Sequence, residues 1–242
     1  VDRSKPDAVS TVQNGQIVTN GLVLALDAAN PRSYTSGSLV WNDLTSNAQT
    51  SSLVNGPSFN STNGGNIVFD GTNDYATLNP NLIPTGNQIT VGVWNYGLVA
   101  KASSVMSCFK DTTSTGRTVN IHIPWSDSIV YWDCGYGPGF SGYDRISTST
   151  LASSEWQNSW HYWAFTKNAT TGIMRIYLDG ILKTEGTGKT QAILTSNFSN
   201  LAVWQLSDYH QGYISNFHIY NRCLSPAEVL QNYNATKTRF GL

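Results

Sequence analysis

The sequence predicts an all-β sandwich with one short C-terminal helix. Two observations carry that expectation. Short apolar or alternating runs recur along the 242 residues, set apart by Gly, Asn, Asp and Pro. Such spacing builds sandwiches and barrels, whereas α/β folds interleave longer helical patterns. Helix signals gather in one place only, after Ser225. A single domain of this length is ordinary for the class and buries a full core without staples.

The strands are expected in this order. Leu22 to Leu26 is a continuous apolar run, as in a strand covered on both faces, and the stretch from Asp27 to Pro31 breaks it. Ile67 to Phe69 leads into the turn signal Asp70-Gly71, and Tyr75 to Leu78 follows. Ile89 to Trp94 and Ser103 to Phe109 alternate. Val119 to Trp125 and Ile129 to Asp133 read as a hairpin across Ser126, Asp127 and Ser128. Trp160 to Thr166 and Met174 to Leu178 precede a turn at Asp179-Gly180. Leu201 to Leu206 and Tyr213 to Tyr220 complete the β part. The helix opens with a capping Ser225, Pro226 at its first position and Glu228 at its third, with Leu224 and Val229 spaced to staple across the cap. It is expected to reach about Tyr233. These bounds give an N-terminal arm at 1–20, a domain at 21–233 and a C-terminal tail at 234–242.

Composition narrows the function classes. Charged residues make up 12% and the net charge is -1, so no field steers the protein to nucleic acid or to an anionic membrane. Aromatics also reach 12%, with eight Trp and twelve Tyr; these types fill large cores, stack on sugars and anchor interfaces. Cys108, Cys134 and Cys223 have neither disulfide-framework nor zinc spacing. Cys108 and Cys223 lie in apolar surroundings and are expected to be buried. The polar opening from Val1 to Asp7 leads to the expectation of no signal peptide and no membrane span. Asn60, Asn168, Asn197 and Asn234 head glycosylation-type triplets, expected by chance in an Asn- and Thr-rich chain.

Five ordered segments together resemble one family. They are Gly21 to Pro31 with Trp41 to Leu44, Ile67 to Tyr75, His122 to Trp125 with Val130 to Asp133, Trp160 to Phe165 with Arg175 to Gly180, and Ile214 to Glu228. The set resembles the laminin-G-like, concanavalin-A-like jelly roll of the lectin-glucanase superfamily. The two ends, Gly21 to Pro31 and Gln231 to Leu242, are similar to virion proteins of tailed phages, those infecting cyanobacteria among them. That second resemblance implies a non-enzymatic viral structural protein, as a capsid decoration or cement protein or a fibre or adhesin component. Its partners would be virion capsid or tail proteins, reached through the arm and the tail. It would be an oligomer or lattice-bound, assembled in the host cytoplasm, with host surface glycans as a further ligand. The alternative is an extracellular carbohydrate-binding or adhesion module, and a glycoside hydrolase is the third reading. No cofactor is expected; Ca²⁺ at the rim, with Asp27 as a ligand, is the sharper alternative that the family implies.

One loop stands out as a candidate ligand site. From Asp133 to Arg145 it carries four glycines, the aromatics Tyr136, Phe140 and Tyr143, and the carboxylates Asp133 and Asp144. Glycines let backbone approach a ligand, aromatic faces suit sugar rings, and carboxylates accept from sugar hydroxyls or hold Ca²⁺. The competing reading is a Gly-rich connection whose aromatics cover a sheet edge. His122, Trp125 and Trp132 flank the loop. Alternation sends His122 and Pro124 one way and Ile123 and Trp125 the other, and the hairpin is expected to put His122 on the face of Trp132. Asp27 and Arg222 interrupt apolar strands, and pairing Asp27 with Arg222, or Arg222 with Glu228, would explain them. Signals for catalysis are thin. Glycosidases need paired carboxylates, and the 15 Asp and Glu are few, several of them in turns. The four His lack zinc spacing, no Ser or Cys sits in a nucleophile elbow, and no glycine-rich loop carries a phosphate-binding Lys. No catalytic residue is expected.

Overall fold

The computed structural model of the chain describes residues 15–111, 116–136 and 142–242. In chain order the strands are β1 (Leu22–Asp27), β2 (Val40–Asn42), β3 (Thr50–Val54), β4 (Ser58–Asn60), β5 (Asn66–Asp70), β6 (Tyr75–Thr77), β7 (Gln88–Gly97), β8 (Met106–Phe109) and β9 (Arg117–His122). They continue as β10 (Tyr131–Cys134), β11 (Asp144–Ser147), β12 (Trp160–Asn168), β13 (Ile173–Leu178), β14 (Ile181–Gly186), β15 (Phe198–Leu201), β16 (Val203–Trp204), β17 (Asp208–Tyr209) and β18 (Gln211–Tyr220), and helix α1 spans Pro226–Thr236. The first sheet runs β14-β13-β12-β7-β18-β5-β4, with β1 also paired to β18. The second runs β11-β10-β9-β8-β15-β6-β3-β2, and β16 and β17 form a separate small hairpin. This is the all-β jelly-roll sandwich with one short C-terminal helix that the sequence predicts.

The core lies where the inner faces meet. Leu24, Leu26, Val91, Val93, Trp163, Phe165, Phe217 and Ile219 from the first sheet pack against Met106, Cys108, Val119, Ile121, Trp132 and Cys134 from the second. Their period of two is the inward half of each strand. The outward residues of the first sheet are also apolar. Trp94, Tyr162, Tyr177 and Tyr220 form a second cluster with Leu224 and Val229, roofed by α1. Two-sided burial explains why β1 and β12 read as continuous apolar runs.

The helix begins as expected. Ser225 and Glu228 close a reciprocal capping box with Pro226 in the first turn, and Leu224 and Val229 are both buried in the cluster beneath. It outruns the expected end, and a 3-10 turn continues it over Lys237–Phe240. Phe240 stacks on Trp94 at 4.1 Å between ring centroids. The segment expected as a docking tail therefore packs on its own sheet. Asp27 pairs with Arg239 at 2.8 Å, and Arg222 pairs with Glu228 at 2.5 Å; of the two partners considered for Arg222, Glu228 is the one found. The described end of the arm is held too: Val18 N–H donates to Asn232 Oδ1 at 2.8 Å, and Ile17 and Val18 are buried.

Other expectations change. Cys108 and Cys134 are fully buried while Cys223 is only half-buried, so burial falls on Cys134 in place of Cys223. Burial pushes the Cys108 thiol up to about 12. The run expected as one strand from Leu201 to Leu206 is broken, because Ala202, Gln205 and Leu206 all have positive φ. The Asp179-Gly180 turn is as expected, with φ of 52° and 80°, the pattern of a tight two-residue hairpin. Among the described residues no helix is long and apolar enough to cross a membrane.

Candidate functional site

The outer face of the second sheet differs in chemistry from that of the first. β8 to β11 alternate, sending Cys108, Val119, Ile121, Trp132, Cys134 and Ile146 inward. Register then aligns the outward residues Arg145, Asp133, Asn120, Ser107 and Asn200 in one row across β11, β10, β9, β8 and β15. Asp133 is the hub. Its Oδ1 accepts from Arg145 Nε at 2.5 Å, and its Oδ2 accepts from Arg145 Nη2 at 2.8 Å and Arg117 Nη1 at 2.6 Å. The carboxylate is 1% exposed, Arg117 12% and Arg145 39%. A carboxylate so deep is tolerable only because its oxygens are filled by charged donors.

Aromatic rings flank this hub. Arg117 lies over Trp204 at 4.3 Å and over Tyr143 at 4.4 Å, and Arg145 lies over Tyr131 at 4.7 Å. Beside them, His122 meets Trp125 edge-on at 4.5 Å and Trp204 at 5.3 Å. The imidazole is buried and held at both nitrogens: Nδ1 lies 2.7 Å from the Ser103 carbonyl and Nε2 lies 2.6 Å from Asn120 Nδ2. These partners assign the proton to Nδ1, since a carbonyl can only accept and the Asn120 amide donates. Burial, first of all, lowers its pKa to about 4, so the ring is neutral at neutral pH. The result is a rigid patch of fixed donors between aromatic surfaces, and Trp125, Tyr131 and Tyr143 remain partly exposed.

Of the residues singled out in the sequence, His122, Trp125, Asp133 and Tyr143 gather here. Trp132 does not: it pairs with Ile121, while His122 pairs with Tyr131. That register turns the expected His122–Trp132 face-sharing into opposite faces, and Trp132 fills the core against Phe165. His122 meets Trp125 instead, because β9 ends at His122 and alternation no longer governs the residues after it. Asp144 is buried and bonded to the fully buried Lys167 at 2.6 Å, and Tyr136 is buried beside the 191–192 backbone. Phe140 lies outside the described residues. Arg117, Asn120, Arg145 and Trp204 were not singled out. The signal for Asn120 in β9 and Arg145 in β11 is the polar half of an alternating strand; Arg117 has the parity of the inward Val119 and Ile121, and the register shift between Cys108 and Phe109 in the β8–β9 pair breaks the alternation there. Trp204 comes from a distant hairpin and gave none.

Two other groupings bear on the expectations. Asp27, the candidate rim ligand, gives both oxygens to Arg239, and among the described residues no three His, Cys, Asp or Glu gather to hold a metal ion. Ser159, His161 and Asp179 align, with His161 Nδ1 at 2.8 Å from Asp179 and Nε2 at 3.0 Å from Ser159 Oγ. The Gln157 carbonyl lies 3.2 Å from Ser159 Oγ and the Ser154 carbonyl 3.2 Å from Nε2, so these hydrogens have acceptors within their own loop.

Solved structures place the fold. The binding domain of botulinum neurotoxin serotype G superposes with a TM-score of 0.67 at 16% identity, covering 88% of this chain and 50% of that one. The serotype D ligand-binding domain, solved with N-acetylneuraminic acid, gives 0.67 at 13% identity, over 88% and 50%. Domain 4 of AbnA, an extracellular arabinanase of Geobacillus stearothermophilus solved with arabinotriose, gives 0.63 at 18% identity, over 88% of this chain and 98% of that one. The chain thus spans about half the length of the neurotoxin domains that it matches. No curated protein matches it by sequence. Residues 70–230 match the family described as the concanavalin A-like lectin/glucanases superfamily. With the two-sheet sandwich and that match, the chain belongs to the concanavalin A-like lectin/glucanases superfamily.

Proposed function

We propose that the chain is a non-catalytic saccharide-binding module that uses the outer face of its second sheet. The observation that carries this is the Arg117–Asp133–Arg145 network, which holds Arg145 fixed at the surface and is flanked by Trp125, Tyr131, Tyr143 and Trp204. Sugar recognition needs fixed polar groups for hydroxyls beside aromatic surface for the C–H face of a ring. The arabinanase domain solved with arabinotriose and the neurotoxin domain solved with N-acetylneuraminic acid are of the same fold, which supports the reading. The test is a glycan array on the whole chain, followed by Trp125→Ala and Tyr143→Ala. Each is expected to weaken a hit about tenfold, the effect of losing one good contact. An array without hits overturns the proposal. So does binding that is lost instead with Tyr96→Ala and Tyr213→Ala, which remove the stacked pair on the first sheet.

Assembly into a virion is the second reading, favoured by an exposed apolar edge. Ile181 and Leu182 on β14, an end strand of the first sheet, are 72% and 48% exposed, and Leu230 of α1 is 42% exposed. An open apolar edge strand suits contact with a neighbouring subunit. In this reading docking falls to that edge and to the N-terminal residues, since residues 237–240 pack on their own domain. Ile181→Lys is expected to convert an oligomer to monomer in sedimentation; a wild-type chain that is monomeric at all concentrations counts against it.

A further inference from the structure

We propose that the second-sheet site takes the end of a glycan chain, its last one or two sugar rings, and not a stretch from its middle. This rests on the saccharide-binding reading above and adds the mode of binding to it. The outward residues Arg145, Asp133, Asn120, Ser107 and Asn200 form a row across β11, β10, β9, β8 and β15. Left open, such a row would be a track about 20 Å long, four strand spacings, and would suit a chain lying along it. It is not open. After β15 the chain turns at Ala202, whose φ is 63°, and β16 and β17 fold back over the sheet. Ser107 Oγ donates to the Val203 carbonyl at 2.6 Å, which sets the hairpin on the middle of the row. Ser107 and Asn120 are fully buried. Asn120 is bonded to Ser104 and His122, so neither residue offers a group to a ligand.

What remains is a corner. Trp204 of β16 walls it on the β8 side, meeting Phe109 at 5.1 Å and His122 at 5.3 Å. Tyr143 closes a second side, because the Arg117 guanidinium lies over its ring at 4.4 Å and over Trp204 at 4.3 Å. Arg117, flanked by both rings, is only 12% exposed. The side opposite Trp204 is open. Among the described residues β11 is the end strand of its sheet, and Arg145 on it is 39% exposed. From β9 to β11 is about 10 Å, two strand spacings, which is room for one or two rings. Asp133 fixes Arg145 by its Nε and Nη2, and a guanidinium held on that edge keeps its Nη1 hydrogens for hydroxyl oxygens. A donor fixed before the ligand arrives loses little freedom on binding. A chain entering over β11 therefore ends against Trp204, and its further rings run off the sheet. A chain passing through along the row would have to displace the hairpin and break the Ser107–Val203 bond.

The experiment is an array of glucose, galactose, mannose and arabinose oligomers of one to six rings, each tethered by its reducing end or by its non-reducing end. Calorimetry on the whole chain follows with the oligomers that give hits. Hits are expected from one tether orientation only, which tells which terminus is taken. Affinity is expected to be complete at two rings and to change less than about twofold from two to six, where a chain along an open track gains about tenfold for each further ring in good contact. Trp204→Ala and Trp204→Phe, each verified to fold by a thermal melt, place the wall. The Ala variant should raise the ratio of six-ring to two-ring affinity about threefold or more, and the Phe variant should leave it unchanged. Hits in both orientations, or affinity that climbs with length in the wild type, overturn end-on binding while the saccharide reading stands; this series decides whatever the variants do. A ratio indifferent to Trp204→Ala overturns Trp204 as the wall. An array without hits removes both readings.

Discussion

On the outer face of the first sheet, Trp94, Tyr162, Tyr177 and Tyr220 are roofed by α1 and capped by Phe240. On the outer face of the second, the buried Asp133 pairs with the largely buried Arg117 and the exposed Arg145, with partly exposed rings around them. Both faces come from the same strand alternation. What differs is the residue type on the outward half of the period. Rings and aliphatics facing out need a cover, and α1 supplies it. Charges facing out need partners, and once paired they can stay near water as a rigid polar surface. The first face is stabilised by burial, the second by charge pairing, and the two should fail under different insults.

The largest effect is expected at the second face. Asp133→Ala removes the buried carboxylate that Arg117 and Arg145 share, and breaking a buried pair from one side typically costs about 3–5 kcal/mol. Arg145 can relax into solvent, so the lower end of that range is expected in urea unfolding. A loss below about 1 kcal/mol, as for an exposed pair, would break the contrast, because the hub would then be an ordinary surface ion pair.

Acid should probe the same face next. The His122 pKa is lowered from 6.5 to about 4, mainly by burial and helped by Arg117 and Arg145, against the pull of the Ser103 carbonyl and Asp133. An unfolded chain takes up that proton near 6.5, the folded chain only near 4. Between those values the unfolded state binds more protons, so stability is intact above 6.5 and falls as pH falls through the window toward 4. The share of His122 is roughly 3 kcal/mol. His218 on the first sheet, Asp27 at its side, is also lowered to about 4, so both faces contribute to acid sensitivity. His122→Gln should flatten the slope of stability against pH without abolishing it. An imidazole resonance of His122 that titrates near its ordinary value would sink the prediction.

Phe240→Ala attacks the first face. The ring touches Trp94 at 4.1 Å and Trp160 at 4.8 Å, and it is only partly buried. The expected cost is on the order of 2 kcal/mol, the value of burying part of a large apolar side chain. Saccharide binding at the other face should not change. If it does, the two faces are coupled through the core and cannot be treated as independent surfaces.

The sequence carried the first face better than the second. The capping box at Ser225 and Glu228, the staple of Leu224 and Val229, and the Asp179-Gly180 turn are local signals, and local physics decides them. The continuous apolar run from Leu22 to Leu26 announced burial on both sides, though not that α1 was the cover. At the second face, Asp133, His122, Trp125 and Tyr143 could be picked out by residue type and by their nearness to a glycine-rich loop. Their partners could not. Arg117 reaches Asp133 across a hairpin and Trp204 arrives from β16, a separation that no local pattern encodes. The misplacing of Trp132 was a register error of one residue between β9 and β10, and a slip of one residue sends every side chain to the other face. The end segment from Lys237 to Phe240 was misread because its apolar content is a single ring, whose burial depends on a surface built by β7 and β12.

The smallest expected effect separates local from tertiary support of the roof over the first face. Ser225 Oγ accepts from Glu228 N–H at 3.3 Å, Glu228 Oε2 accepts from Ser225 N–H at 2.8 Å, and Arg222 holds the same carboxylate. Ser225→Ala removes one arm of that box and leaves the Arg222 pair in place. A capping serine is typically worth about 1 kcal/mol, and that loss is expected in urea unfolding with an unchanged slope. A loss under about 0.3 kcal/mol would mean that α1 stays helical through its packing on Trp94 and Tyr220 alone. A loss well above 2 kcal/mol would mean that the cap sets the angle at which α1 meets the sheet, so that the aromatic face is sealed only when the helix starts at Pro226. In that case the local signal that made the helix readable in the sequence would also be what closes the first face, and the contrast between the two faces would trace back to one serine.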